Sequence, residues 1–378
     1  MKMELEGASN GRETARATPP PALPWMVQLQ LYIIVAVGRI AMSRSGTVHR
    51  RFFSAVDRPA RTSARPDKNG VRSADVTVDA SRGLWARVFS PSQASAPLPV
   101  LVYFHGGAFT LLSASSIPYD DMCRRFCHGL GAVVVSVNYR LAPEHRCPAA
   151  YDDGLDVLRY LASAGLPDDV AVPVDLSRCF LAGDSAGGNI VHHVAQRWMD
   201  SSSSMGMAPS SPTILRLAGA ILIQPFFGGE ARTGSEERLD GKAWVVTMRD
   251  SDWAWRAFLP EGADRNHPAA HVTGESADLA DGFPPAMLVV GGLDPLQDWQ
   301  RQYAGVLDKK GKVVQLVEFD EAIHGFFWFP ELPETGKLTA KMKAFMDRGT
   351  RCAVPVPVPV QQQNRKEGVF GFLAWLES

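Results

Sequence analysis

Between residues 84 and 346, short apolar runs rich in β-branched and aromatic residues alternate with longer stretches whose apolar positions recur at helical spacing. The runs lie at 84–89, 100–104, 132–137, 179–182, 220–223, 286–290 and 313–319. The helical stretches lie at 117–130, 151–164, 187–199, 298–310 and 336–346. Runs such as Val100-Leu101-Val102-Tyr103-Phe104 are apolar at every position, the mark of a strand covered on both faces. Strands alternating with helices of this length form βαβ units, hence a mostly parallel sheet with right-handed crossovers. The expected fold is therefore α/β, a central sheet with helices on both faces. No internal repeat of the solenoid kind interrupts this rhythm.

The 378 residues suffice for a large core without metal or disulfide staples. Four segments fall outside the rhythm. Residues 1–23 are polar and proline-rich, and 350–378 contain the Val-Pro repeat Val354-Pro355-Val356-Pro357 followed by glutamines; both read as flexible tails flanking one domain, 24–349. Ser201 to Pro212 reads as a surface loop. The stretch 226–285 is too long for a simple crossover and carries Trp244, Trp253, Trp255 and Phe258, so it reads as a cap over a pocket or an extra packed helix pair.

Lys and Arg number 39 against 40 Asp and Glu, a net charge of −1, which argues against a nucleic-acid partner because phosphates need a basic face. The apolar stretch of residues 31–38 falls far below the ~20 residues of a membrane span. It lies in an amphipathic helix expected at 24–42, behind a long polar lead carrying Glu4, Glu6 and Glu13 against Lys2, Arg12 and Arg16, which does not suit a signal peptide. The five cysteines, an odd number spread along the chain, read as reduced thiols, and the expected location is cytoplasmic, with the nucleus as an alternative. Cys123, Cys127 and His128 have no second ligand pair, so no metal site is expected.

Gly183-Asp184-Ser185-Ala186-Gly187 follows the run at 179–182 and opens a helix. A nucleophilic serine needs such a turn, with small neighbours that let strand pass sharply into helix. The free N–H groups of the helix start then face developing negative charge. His105-Gly106-Gly107 follows another strand, and its bare N–H groups at Gly106 and Gly107, with that of Ala186, make a three-donor oxyanion hole. Serine needs a base steered by a carboxylate, and in α/β-hydrolases the chain order is Ser, then Asp or Glu, then His. Asp294 follows the run at 286–290, with Asp298 as the alternative, a helix-start charge. Downstream of Asp294 the only histidine is His324. His49, His128, His145, His192, His193, His267 and His271 read as solvated or structural.

These residues resemble the hormone-sensitive-lipase-like branch of the α/β-hydrolases, and within it the plant carboxylesterases related to the gibberellin receptor. The resemblance covers 24–348. It rests on His105-Gly106-Gly107, Asn138-Tyr139-Arg140-Leu141-Ala142-Pro143-Glu144-His145, Gly183-Asp184-Ser185-Ala186-Gly187-Gly188-Asn189, Asp294-Pro295-Leu296 and His324-Gly325-Phe326. Ser45-Gly46-Thr47-Val48-His49-Arg50 is a weaker match. It implies an α/β-hydrolase with Ser185 as nucleophile, Asp294 and His324 as its partners, Gly106, Gly107 and Ala186 as oxyanion donors, and a lid from 24–42 and part of 226–285. Ala108 stands where the family's third glycine is usual. The expected activity is hydrolysis of a small carboxylic ester through an acyl-enzyme, without cofactor. The alternative is a hormone-type binding protein on the same scaffold; in that receptor the histidine is replaced, whereas His324 is present here. Elimination or acyl transfer at the same serine is a third reading.

Overall fold

The computed structural model describes residues 23–43, 46–204, 215–274 and 279–349. The two tails, Ser45, Cys352 and most of the loop expected at 201–212 therefore lie outside the described residues. The chain opens with α1 (Trp25–Ala41) and α2 (Arg50–Val56), then two strands, β1 (Val71–Asp79) and β2 (Leu84–Pro91). The alternating part follows: β3 (Leu98–Phe104), α3 (Ile117–Leu130), β4 (Val133–Asn138), α4 (Ala149–Ala164), β5 (Val174–Asp184), α5 (Ala186–Ser204) and β6 (Leu217–Ile223). After the insertion helices α6 (Gly234–Leu239) and α7 (Met248–Phe258) come β7 (Ala286–Gly291), α8 (Gln297–Lys309), β8 (Val314–Phe319) and α9 (Pro333–Gly349).

One eight-stranded sheet has the order β1-β2-β4-β3-β5-β6-β7-β8. β2 runs antiparallel to both its neighbours, β1 and β4, and β3 to β8 run parallel to one another, as the alternation requires. The period of two along each strand splits the core into two layers. Val100, Val102 and Phe104 of β3 join Ile190 and Val194 of α5 on one face. Leu101 and Tyr103 join Met122 and Phe126 of α3 and Met342 of α9 on the other. The strand read as outermost, β2, has a neighbour, β1, whose mixed polar sequence hid it.

Chain order in the sheet decides where a site forms. From β3 the chain turns one way to reach β4, and from β5 the other way to reach β6. Helices α3 and α5 consequently leave adjacent strands on opposite faces, opening a crevice at the carboxyl ends of β3 and β5. His105-Gly106-Gly107 and Ser185 stand at those two ends.

Among its described residues the insertion holds the two helices α6 and α7. Thr233 and Glu236 cap α6 reciprocally, and Thr247 caps α7 by accepting from the Asp250 N–H. Trp253 Nε1 of α7 donates to the Ser43 carbonyl beyond α1 (2.7 Å), and Arg39 of α1 pairs with Asp250 of α7 (3.0 Å). No helix among the described residues is long and apolar enough to cross a membrane.

Candidate active site

Ser185 occupies the left-handed region with φ 52°, between β5 and α5. A residue with a Cβ adopts this conformation only when its surroundings enforce it. The enforcement is visible: the Ser185 N–H donates to the Ile223 carbonyl (2.9 Å), and its carbonyl accepts from the Phe226 N–H (2.8 Å). Gly187 lies so close to β3 that a Cβ there would collide with the Phe104 carbonyl, and one at Gly183 would meet the Gly187 backbone. The glycine spacing of the pentapeptide is thus a packing requirement of the turn.

Asp294 follows β7 and is fully buried. Its Oδ2 accepts from His324 Nδ1 (2.9 Å) and Gln300 Nε2 (3.0 Å), and its Oδ1 from the Leu296 N–H (3.0 Å). A carboxylate only accepts, so the His324 proton sits on Nδ1 and Nε2 is left basic. Burial by itself disfavours the imidazolium, but the charge and hydrogen bond of Asp294, aided by Asp184, hold His324 above the usual histidine value. Asp298 lies apart from this pair, accepting from the Ser235 N–H at the start of α6 (2.7 Å).

Ser185 and His324 line one cavity of about 160 Å³. Its walls are mostly apolar: Ile34 and Val35 of α1, Leu111, Phe226, Val246 and Trp328, with Gly107 and Ala108 beside Ser185. The structure joins His324 to Asp294 but makes no hydrogen bond between the Ser185 hydroxyl and the imidazole. Of the histidines, His324 is the only one among the described residues lining this cavity. His192 is buried against the Tyr303 hydroxyl (2.8 Å), and burial lowers its pKa to about 3. His193 stacks on Tyr151 with centroids 4.3 Å apart.

The glycine loop departs from expectation at one position. The Gly106 N–H is already occupied, donating to the Tyr119 hydroxyl (2.7 Å) and to Asp184 Oδ1 (3.1 Å). It is therefore not a free oxyanion donor. Asp184 also accepts from the Tyr103 hydroxyl (2.7 Å) and the Tyr119 hydroxyl (2.8 Å), and burial raises its pKa to about 6 despite these bonds. Gly107 (φ 102°) and Ala108 (φ 54°) are turned into the left-handed region, and neither N–H has an acceptor among the described residues. The Ala186 N–H, first in α5, also has no intrahelical acceptor. The sequence reading followed glycines and so offered no role for the Ala108 N–H, which like that of Gly107 has no acceptor among the described residues.

His105 fixes the base of this loop. It stacks on Tyr139 at 4.3 Å, and the Tyr139 hydroxyl donates to the His105 carbonyl (2.7 Å). Burial pushes the His105 pKa down to about 4, so the ring stays neutral. The four described cysteines are free. No cluster of metal-ligating side chains occurs among the described residues.

Residues 101–328 match the family model of the alpha/beta hydrolase fold. The chain is 41% identical to the gibberellin receptor GID1C of Arabidopsis thaliana over 85% of its own length and 95% of the receptor's. It is 38% identical to carboxylesterase 20 of the same plant, over 68% of this chain and 80% of that one. Among solved structures, a hyperthermophilic esterase from Pyrobaculum calidifontis superposes with a TM-score of 0.67 at 28% identity, covering 87% of this chain and 99% of the esterase. With its parallel sheet, its serine turn and these relatives, the chain belongs to the hormone-sensitive-lipase-like branch of the α/β-hydrolase family, alongside plant carboxylesterases and gibberellin receptors.

Proposed function

We propose that the protein is a serine carboxylesterase acting on small carboxylic esters. The observation that carries this reading is a buried Asp294–His324 pair whose imidazole lines the same cavity as a serine held in left-handed backbone. Ser185 Oγ attacks the ester carbonyl while His324 Nε2 takes its proton. The oxyanion forms against the N–H groups of Gly107, Ala108 and Ala186, each such donor contributing ~3 kcal/mol to the barrier reduction. His324 then protonates the leaving alcohol, and water repeats the cycle on the acyl-enzyme. Asp294 keeps the Nδ1–H tautomer and stabilises the imidazolium. Catalytic hydrogen bonds often tighten only around substrate, and the reading expects the Ser185–His324 bond to close there. A cavity of about 160 Å³ with apolar walls suits a short aliphatic or single-ring substituent. Helix α1 and the 245–254 stretch line it and form the lid.

The pH dependence follows from the base. His324 must be neutral to accept the serine proton, so kcat/KM falls as pH drops through its pKa, which lies above the ordinary histidine value near 6.5. The acid limb for p-nitrophenyl acetate is therefore expected above pH 6.5; a limb well below it contradicts the Asp294 coupling.

A second reading, a non-catalytic small-molecule binding protein, is favoured by the 41% identity to a gibberellin receptor. One experiment separates the two. A fluorophosphonate probe labels Ser185, located by peptide mapping, if the hydroxyl is activated; an unlabelled, properly folded protein favours binding without turnover.

A further inference from the structure

We propose that Gln224 is a positioning residue that sets where the His324 imidazole stands relative to Ser185. The inference rests on the esterase reading and extends it to a residue remote from both motifs. Gln224 directly follows β6, is fully buried and has φ 44°, one of five non-glycine residues described in left-handed backbone. Three of the others, Ala108, Leu112 and Ser185, line the cavity. Gln224 does not line it, so contact with ligand gives no reason for its conformation.

Its side chain supplies one. Gln224 Nε2 donates to the Ile323 carbonyl (3.1 Å), and Oε1 accepts from the Gly325 N–H (2.9 Å). The two residues gripped are the immediate chain neighbours of His324. An amide has one donor end and one acceptor end, and here each end meets its complement in the main chain. The Gln224 N–H donates to the Val289 carbonyl of β7 (2.9 Å), which fixes the residue from behind. A Cβ at Gly291 would run into both Gln224 Nε2 and the Ala322 main-chain carbonyl, so the position stays bare and leaves room for the amide.

The same short segment also holds the other two members of the site. The Ile223 carbonyl and the Phe226 N–H grip the peptide of Ser185 from either side. The Pro225 carbonyl accepts from Gln300 Nε2 (3.3 Å), and that nitrogen also donates to Asp294 Oδ2. Residues 223–226 are thus a common frame onto which serine, carboxylate and imidazole are all referenced. Within it, Gln224 is the element that transmits position to His324. The left-handed backbone aims its side chain across β7 toward the loop after β8, where His324 lies.

The test is Gln224→Met, which keeps volume and removes both hydrogen bonds, with Gln224→Glu as the variant that retains an acceptor for the Gly325 N–H. Acylation by p-nitrophenyl acetate, read from the p-nitrophenol burst, is expected to slow about 100-fold in Gln224→Met and about tenfold in Gln224→Glu, since small misplacements of a reacting group cost that much. The substrate dissociation constant, read from the concentration dependence of the burst rate, is expected to stay within about twofold, because the substitution changes no residue that lines the cavity. Folding is monitored by near-UV circular dichroism and thermal melting. Acylation within about twofold of wild type in folded Gln224→Met overturns the proposal; if that variant does not fold, the same result in Gln224→Glu does so. Should the wild type neither hydrolyse ester nor take up the fluorophosphonate, the esterase reading fails by itself. The positioning inference is then decided by the His324 Nδ1 proton resonance in NMR: displaced in the variant it stands, unchanged it falls.

Discussion

Ser185→Ala is expected to lower kcat for p-nitrophenyl acetate by about 10³-fold or more and to abolish labelling by fluorophosphonate. The change removes one oxygen and leaves the turn intact. Alanine at φ 52° is strained as serine is, but the hydrogen bonds to Ile223 and Phe226 are main-chain and persist. The variant should therefore fold, with a melting temperature near that of the wild type. What remains is the donor set of Gly107, Ala108 and Ala186, which still polarises a carbonyl and lets water react slowly. Full activity in this variant would remove the acyl-enzyme mechanism altogether.

His324→Ala is expected to cost about as much as the serine substitution, because a hydroxyl with no base is a poor nucleophile at neutral pH. The two losses should not add: the double variant Ser185→Ala/His324→Ala is expected within about threefold of either single variant. Residues acting as one chemical unit behave this way, whereas two independent contributions would multiply. Removing the ring also leaves a space beside Asp294, so added imidazole should restore part of the activity to His324→Ala and none to the double variant. A multiplicative double variant, or rescue by imidazole without Ser185, would show that the two residues act apart.

Much of this site was legible in the sequence because its demands fall on neighbouring residues. The serine turn needs Gly183 and Gly187, and both needs arise from backbone lying within contact distance. The chain-order rule picked Asp294 and His324, and the structure joins them. The free main-chain N–H groups beside the serine were legible only in part. Which N–H is free depends on Asp184 and Tyr119, and Tyr119 lies on α3, 13 residues beyond Gly106. No local pattern reports that.

The segment between α1 and β2 was the least legible part of the fold. Helix α2 spans only 7 residues and fully buries none of them, too short for a helical period to show. β1 turns Val71, Ser73 and Val76 inward and keeps charged residues elsewhere. Ser73 is at home inside because its hydroxyl accepts from Arg124 (2.7 Å) and from the Ser63 N–H (3.1 Å). Arg87 on β2 is likewise buried, held by Asp75 (2.8 Å) and Asp120 (3.1 Å). Buried polar groups with distant partners read as surface until the partners are known. Gln224 belongs to the same class: nothing next to it in the chain announces the loop it holds.

Helix α1 contributes Ile34, Val35, Gly38 and Arg39 to the cavity, yet it belongs to no strand crossover and carries none of the reacting groups. On the esterase reading, the entrance and the proposed reacting groups therefore come from separate pieces of the polypeptide, so substitutions along one peripheral helix redraw what enters without altering Ser185, Asp294 or His324.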